Sequence, residues 1–230
     1  MQGLKIRFVV ATRESRDNFF VNTATGMSLD VYKSFPFLQL DLYASNTEGL
    51  STVYNRSIER AKNDPAILIF AHDDLHFTDF YWADRLVNSL NHFEILGVAG
   101  NKRRVPNQPS WAFIDSNLTW DSAENLSGVV GHGTGFPLQN LSVYGPTYQE
   151  VKLLDGLLLA CRSESLHQKE LKFDERFDFH FYDMDFCRQA ELKNMRMGTW
   201  SLSVVHNSSG VFGSRSWHEA KAKYFEKWGN

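Results

Sequence analysis

The sequence predicts an α/β fold, a mixed and mostly parallel central sheet flanked by helices. Three observations carry this. Residues 66–71 are an unbroken apolar run, rich in β-branched residues and too short for a globular helix, which is how a strand buried on both faces reads. Strand-like and helix-like segments alternate around it. The run also ends abruptly in His72-Asp73-Asp74, and in open α/β sheets ligands sit beyond the carboxyl ends of the strands.

Taken in order, residues 5–11 read as a first strand, with Ile6, Phe8, Val9 and Val10 stopping at the polar turn Thr12-Arg-Glu-Ser-Arg16. This puts Thr12 and Arg13 at a strand's carboxyl end. Residues 37–43 form a second strand, followed by the loop Ala44-Ser-Asn-Thr-Glu-Gly49. A helix over 51–63 has Tyr54, Ile58 and Ala61 at i, i+4 and i+7, with Ser51 as N-cap and Asn63-Asp-Pro65 as its stop. After the 66–71 strand, Thr78 caps a helix to about His92, with Phe80, Ala83, Val87 and Leu90 on one face. Residues 95–99 form a short strand.

From 101 to about 148 periodicity fails. The stretch is rich in Gly, Asn, Ser and Pro, carries Trp111 and Trp120, and reads as hairpins and loops, an irregular insertion that either has short strands of its own or covers an active site. Residues 151–161 form an apolar strand with Asp155-Gly156 set inside it, where Gly marks a bulge or a ligand's close approach. A helix is expected over 183–194 and a strand over 200–206. The last helix has Ser216-Trp-His-Glu219 as a capping box and Trp217, Ala220, Tyr224 and Trp228 on one face.

Composition bounds the function. At 230 residues the chain fits one domain, read as 1–230. Hydrophobic residues make up 43% and charged residues 22%, which excludes a disordered chain. The net charge of −3 and scattered basic residues argue against nucleic acid as a partner. No apolar run reaches the length of a membrane span and the start lacks a signal-peptide core, so the expected location is cytoplasmic. Cys161 and Cys187 are in no metal or redox spacing and read as buried small hydrophobes.

Three groups could carry chemistry. His72-Asp73-Asp74 suits a hard divalent cation shared with a diphosphate, because Mg²⁺ and Mn²⁺ take carboxylate, phosphate and water oxygens; the alternative is an Asp-rich strand-end turn. Tyr182-Asp183-Met184-Asp185 opens a helix, where Asp residues complement the dipole, but an Asp183 facing a cleft would be a general base. His206 ends the last strand, either as a structural residue or as a metal ligand that needs a carboxylate brought near it.

In order, Gly49-Leu-Ser51, Tyr54-Asn55-x-x-Ile58-Glu59-x-Ala61, Ile67-Leu-Ile-Phe-Ala-His-Asp-Asp74, Asp155-Gly156, Phe173-Asp-Glu-Arg-Phe177, Tyr182-Asp-x-Asp185 and His206 resemble the family 2-like glycosyltransferases, most of all their short single-domain members, over roughly residues 5–210. The resemblance implies a single GT-A (Rossmann-like) domain and inverting, hexosyl-type transfer from a nucleotide-sugar donor to a hydroxyl on a glycan, polysaccharide or glycolipid, with Mn²⁺ or Mg²⁺. A glycolipid acceptor implies peripheral contact with a membrane. Ala71 stands where the family's D-x-D motif has its first Asp, and Asp73 matches the second. Asp73, Asp74 and His206 are then the implied metal ligands, and Asp183 the implied catalytic base, with Tyr182 in place of the usual Glu. Thr12, Arg13, Asn46, Asn55 and His72 are implied on the nucleotide, and Asp155, Gly156, Trp111 and Asp185 on the donor or acceptor sugar. The rival readings are a metal-dependent phosphoester hydrolase and an inactive sugar- or nucleotide-binding module of the same fold.

Overall fold

The computed structural model describes residues 5–208, 210 and 212–229. Twelve strands and seven helices follow one another in these residues. They are β1 (Ile6–Ala11), α1 (Arg16–Asn22), α2 (Ala24–Val31), β2 (Leu38–Tyr43), α3 (Leu50–Arg60), β3 (Ile67–Ala71), β4 (Leu75–Phe77), α4 (Trp82–Ser89), β5 (Ile95–Gly97), β6 (Ala99–Asn101), β7 (Leu126–His132), β8 (Asn140–Gly145), β9 (Leu153–Leu154), β10 (Leu158–Arg162), α5 (Ser163–Gln168), α6 (Tyr182–Leu192), β11 (Met197–Thr199), β12 (Val204–His206) and α7 (Arg215–Trp228).

The first sheet has the order β11-β5-β10-β3-β1-β2. β1 pairs in parallel with both β2 and β3, while β10 runs antiparallel between β3 and β5. This is the expected mixed, mostly parallel sheet. Every residue of β3 is buried, as its unbroken apolar run requires. The register puts Ala11 beside Tyr43 and Val10 beside Ala71. Three parallel strands therefore end at one edge. Because β10 is antiparallel, its first residue Leu158 pairs with Ala71, and Asp155-Gly156-Leu157 arrives at the same edge.

The second sheet has the order β4-β12-β7-β6-β9, with β8 added to β7. β12 pairs His206 with Leu75 of β4 on one side and with His132 of β7 on the other. This pairing brings His206 beside the residue that follows Asp74. The core between sheets and helices is aromatic: Phe8 packs edge-on against Phe77 and Trp82, and Phe173 lies between Phe70 and Phe186. Leu159, fully buried in β10 opposite Phe70, has no route to relax. Leu159→Ala is expected to cost about 2–5 kcal/mol, read as a lower urea midpoint with an unchanged slope.

Several local expectations are corrected. The 151–161 run is not one strand: β9 and β10 belong to different sheets, and Asp155-Gly156 is the crossing between them. The 95–99 segment divides the same way into β5 and β6. Ser51 lies inside α3 rather than capping it; Gly49 is the N-cap, and the Ser51 hydroxyl donates to the Phe177 carbonyl at 2.6 Å. Thr78 follows β4 and bonds Ser203, so the next helix starts only at Trp82. α7 is capped by Ser214, whose hydroxyl accepts from the Trp217 N–H, while Glu219 pairs with Arg215. The 101–148 stretch contains the β7–β8 hairpin, with a bulge between Gly128 and Val129. Gly128 has φ of +118° and packs against Val98, so a side chain there would strike the backbone.

Candidate functional site

A cleft of about 340 Å³ opens at the strand-end edge, between the two sheets and the start of α6. Among the described residues four carboxylates line it, Asp73, Asp74, Asp155 and Asp183, together with His72, His132, His180 and His206, and no Lys or Arg does. A second cavity of about 970 Å³ adjoins it beyond the ends of β1 and β2, lined by Thr12, Arg13, Ser45 and Asn46. Asp73 and Asp74 line both. They mark the seam between the two spaces.

His72, Asp74 and His206 are brought together, each offering a ligand atom within 4.8 Å of the others. His206 Nε2 is 3.3 Å and His72 Nδ1 4.0 Å from Asp74 Oδ1. These are contacts rather than hydrogen bonds, for Asp74 Oδ1 is buried and has no hydrogen-bond partner among the described residues. A buried carboxylate oxygen left orphaned is costly, and two imidazole nitrogens facing it make a donor set that fits a divalent cation. Burial alone would raise the Asp74 pKa, but His206 first, with His72 and the Ser208 hydroxyl, more than reverses it and holds the carboxyl below its usual range. Burial likewise opposes a charged His206, and Asp74 outweighs it, so the His206 pKa is raised.

The sequence favours Asp73 as the ligand, and the geometry gathers Asp74 and His72 with His206 instead. Asp73 and Asp74 form the turn between β3 and β4, and Asp73 lies outside the group that Asp74 joins. The Asp73 carbonyl accepts from Thr25 N–H at the head of α2, and the Asp74 carbonyl from Asn207 N–H after β12. His72 therefore moves from an expected nucleotide contact into the candidate cation set.

Asp183 is delivered by a backbone device. Phe181, at φ 64°, takes the left-handed conformation before α6. A non-glycine residue there is strained, and packing of its ring against Trp217 and Tyr224 holds it. The chain then enters α6 with Tyr182 and Asp183 at the cleft. Asp183 Oδ2 accepts from Gly156 N–H at 3.0 Å and Oδ1 from Met184 N–H at 2.8 Å. Burial and the nearby negative charge of Asp155 push its pKa up to about 7. A carboxylate so tuned can take a proton near neutral pH. Gly156 must be glycine, since a Cβ there would lie 2.4 Å from the Tyr182 hydroxyl and 2.9 Å from Asp183 Cβ.

Thr12, Arg13 and Asn46 line the larger cavity, and Trp111, Asp155 and Gly156 the cleft. Two expected contacts lie elsewhere. Asn55 faces inward: its amide donates to the Phe173 carbonyl and accepts from the Phe173 N–H, both at 2.9 Å, pinning the 173–177 loop to α3. Asp185 is fully buried on the far face of α6, bound by Lys227, Trp228 and Gln189. Residues two apart on a helix face different ways, so Asp183 at the cleft turns Asp185 from it. Sequence reasoning missed Tyr144 and Phe179. Tyr144 stacks under Trp120 at 5.8 Å, and Phe179 covers the His72 ring at 5.8 Å. Tyr144 is a lone aromatic in a segment without helical periodicity, and Phe179 is one of three alternating rings, Phe177, Phe179 and Phe181, whose spacing does not say which of them meets the cleft.

Comparison with known proteins follows this geometry. No curated protein matches the chain. Among solved structures, GalNAc-T7 with UDP, GalNAc and Mn²⁺ superposes with a TM-score of 0.52 and 12% identity, covering 98% of this chain and 48% of that one. The chain thus spans about half the length of that enzyme. The catalytic domain of Drosophila beta1,4galactosyltransferase 7 in complex with xylobiose gives 0.50 and 11%, covering 95% and 79%. At such identity the likeness is one of fold, and that fold is the GT-A fold of glycosyltransferases. A family model described as "glycosyltransferase like family" matches residues 39–228. With the acid-ended strand β3, the Asp155-Gly156 crossing, Asp183 and His206 all inside that match, the chain belongs to the glycosyltransferase-like family.

Proposed function

We propose that this protein is an inverting glycosyltransferase that moves a hexosyl-type sugar from a nucleoside-diphosphate donor to a hydroxyl of a carbohydrate or glycolipid acceptor. The observation that carries this reading is the pairing, in one cleft, of an orphaned carboxylate flanked by two imidazoles with a carboxyl whose pKa is about 7. The first suits a cation and the second suits a base.

His72, Asp74 and His206 would hold the cation, and two nitrogen donors favour Mn²⁺ over Mg²⁺, which prefers oxygen ligands. A bound dication supplies positive charge against the negative charge that grows on a leaving diphosphate. A cleft lined by four acids and no Lys or Arg would otherwise repel that group. The larger cavity would take the nucleoside, with Thr12 and Asn46 as polar contacts and Arg13 as the one Lys or Arg lining it among the described residues. Asp73, at the seam, would orient the donor, and Asp155 and Gly156 would line its sugar.

The acceptor hydroxyl would enter beside Asp183, which takes its proton as the oxygen attacks the anomeric carbon. The new C–O bond forms on the face opposite the breaking bond to the diphosphate, so configuration inverts. Gly156 N–H and Met184 N–H fix the carboxylate for this step. Trp111 and Trp120, gathered around Tyr144 at the cleft wall, offer flat apolar faces to an acceptor ring. In the solved relatives, the GalNAc-T7 structure contains UDP, GalNAc and Mn²⁺ and the Drosophila one xylobiose, which supports these ligand classes.

No helix among the described residues is long and apolar enough to cross a membrane, so a lipid-borne acceptor would be met at a bilayer surface. A cytoplasmic setting is supported by two unpaired, buried cysteines. The test is release of nucleoside diphosphate from a panel of nucleotide sugars with Mn²⁺ and saccharide acceptors. Release that depends on acceptor and metal is expected; phosphate release from simple esters with no sugar transferred would sink the proposal.

A further inference from the structure

Tyr182, the first residue of α6, has its hydroxyl between two partners. It lies 2.7 Å from the Gly156 carbonyl and 3.0 Å from His72 Nε2. A carbonyl oxygen can only accept, and a tyrosine has one proton to give. With that proton committed to Gly156, the phenolic oxygen can only accept from His72, so Nε2 must carry the imidazole proton. A neutral imidazole has one N–H, and His72 Nδ1 is then a bare lone pair. Nδ1 is the atom that faces Asp74 Oδ1, at 4.0 Å, and that oxygen has no hydrogen-bond donor among the described residues. The Phe179 ring, stacked on His72 within 24° of parallel, keeps the imidazole plane in place.

We infer that Tyr182 is a positioning residue for the cation site, fixing His72 in the tautomer that offers Nδ1 as a ligand atom. This rests on the reading that His72, Asp74 and His206 hold a cation. The alternative arrangement, with Tyr182 donating to His72, would leave the buried Gly156 carbonyl without this bond. Gly156 belongs to the same device, because any side chain there would displace the hydroxyl. A neutral phenol performs this task without adding a fifth carboxylate to the cleft. Burial raises the Tyr182 pKa far above its usual value and keeps the proton in place.

Two measurements test this. In metal-free wild-type protein at pH 8, long-range proton–nitrogen correlation spectra with His72 assigned by His72→Gln should show the proton on Nε2. In Tyr182→Phe, which keeps the ring and removes only the hydroxyl, the tautomer preference should be lost and Mn²⁺ affinity, by calorimetry, should weaken about 10–100-fold, the range for partners that orient a metal-bound imidazole. A wild-type His72 protonated on Nδ1 overturns the inference whatever the variant does. So does a Tyr182→Phe protein that binds Mn²⁺ within twofold of wild type. Absence of Mn²⁺ binding to wild type would overturn the cation-site reading instead, while the spectrum would still decide the tautomer.

Discussion

Asp183→Asn is expected to lower turnover by about 10²–10⁴-fold, the usual contribution of a positioned general base, while changing donor affinity little. The amide keeps the shape of the carboxylate but cannot take the acceptor's proton. In wild type the base acts in its ionised form. With a pKa of about 7, the ionised fraction rises through neutrality, so kcat/KM should climb roughly tenfold per pH unit below 7 and level off above it. Asp155 contributes to that elevation, and Asp155→Asn should therefore move the rising limb to lower pH. A limb that stays in place would remove Asp183 from the base's role. The same shift bears on stability with the opposite sense: a carboxyl whose folded pKa exceeds the unfolded value of about 3.9 favours the native state at low pH and loses that contribution as pH rises to about 7.

The second large effect is expected at Asp74. Asp74→Asn removes the only carboxylate from the His72–Asp74–His206 group, leaving two neutral imidazoles and an amide. Mn²⁺ affinity should fall by more than about 100-fold, beyond the 10–100-fold typical of outer partners. The loss should be smaller in Asp73→Asn, because Asp73 lies outside that group. Calorimetric titration of both variants checks the ordering. Equal losses, or a larger one at Asp73, would return the principal ligand role to the residue that the sequence favours.

That contrast shows where the sequence was legible. The parallel strands were readable because burial on both faces leaves no polar residue in β3, and because their polar ends coincide in register. The placement of Thr12, Arg13 and His72 at one edge follows from that alone, whereas Asp183 reaches the edge through Phe181 and the start of α6. Asp74 meeting His206 does not. It depends on β4, three residues long, pairing antiparallel with β12, and a three-residue strand has too little periodicity to announce itself. Asp155-Gly156 was visible as a break but not as a passage between sheets, since the apolar residues on either side read as one strand. α1 and α2 went unread for a related reason: exposed Val21, Met27 and Val31 blur any apolar stripe. Asn55 and Asp185 were misplaced because a polar residue that staples a loop or receives a buried Lys looks, in sequence, the same as one that meets a ligand.

The most direct test of the account is thermal denaturation with nucleoside diphosphates in the presence and absence of Mn²⁺. A ligand that binds only the native state must raise its melting temperature. The account predicts that one nucleoside diphosphate and Mn²⁺ together raise it by more than the sum of their separate effects, that this excess disappears in Asp74→Asn, and that it survives in Asp183→Asn. Equal stabilisation by the nucleotide with and without metal, or a full excess in Asp74→Asn, would contradict it.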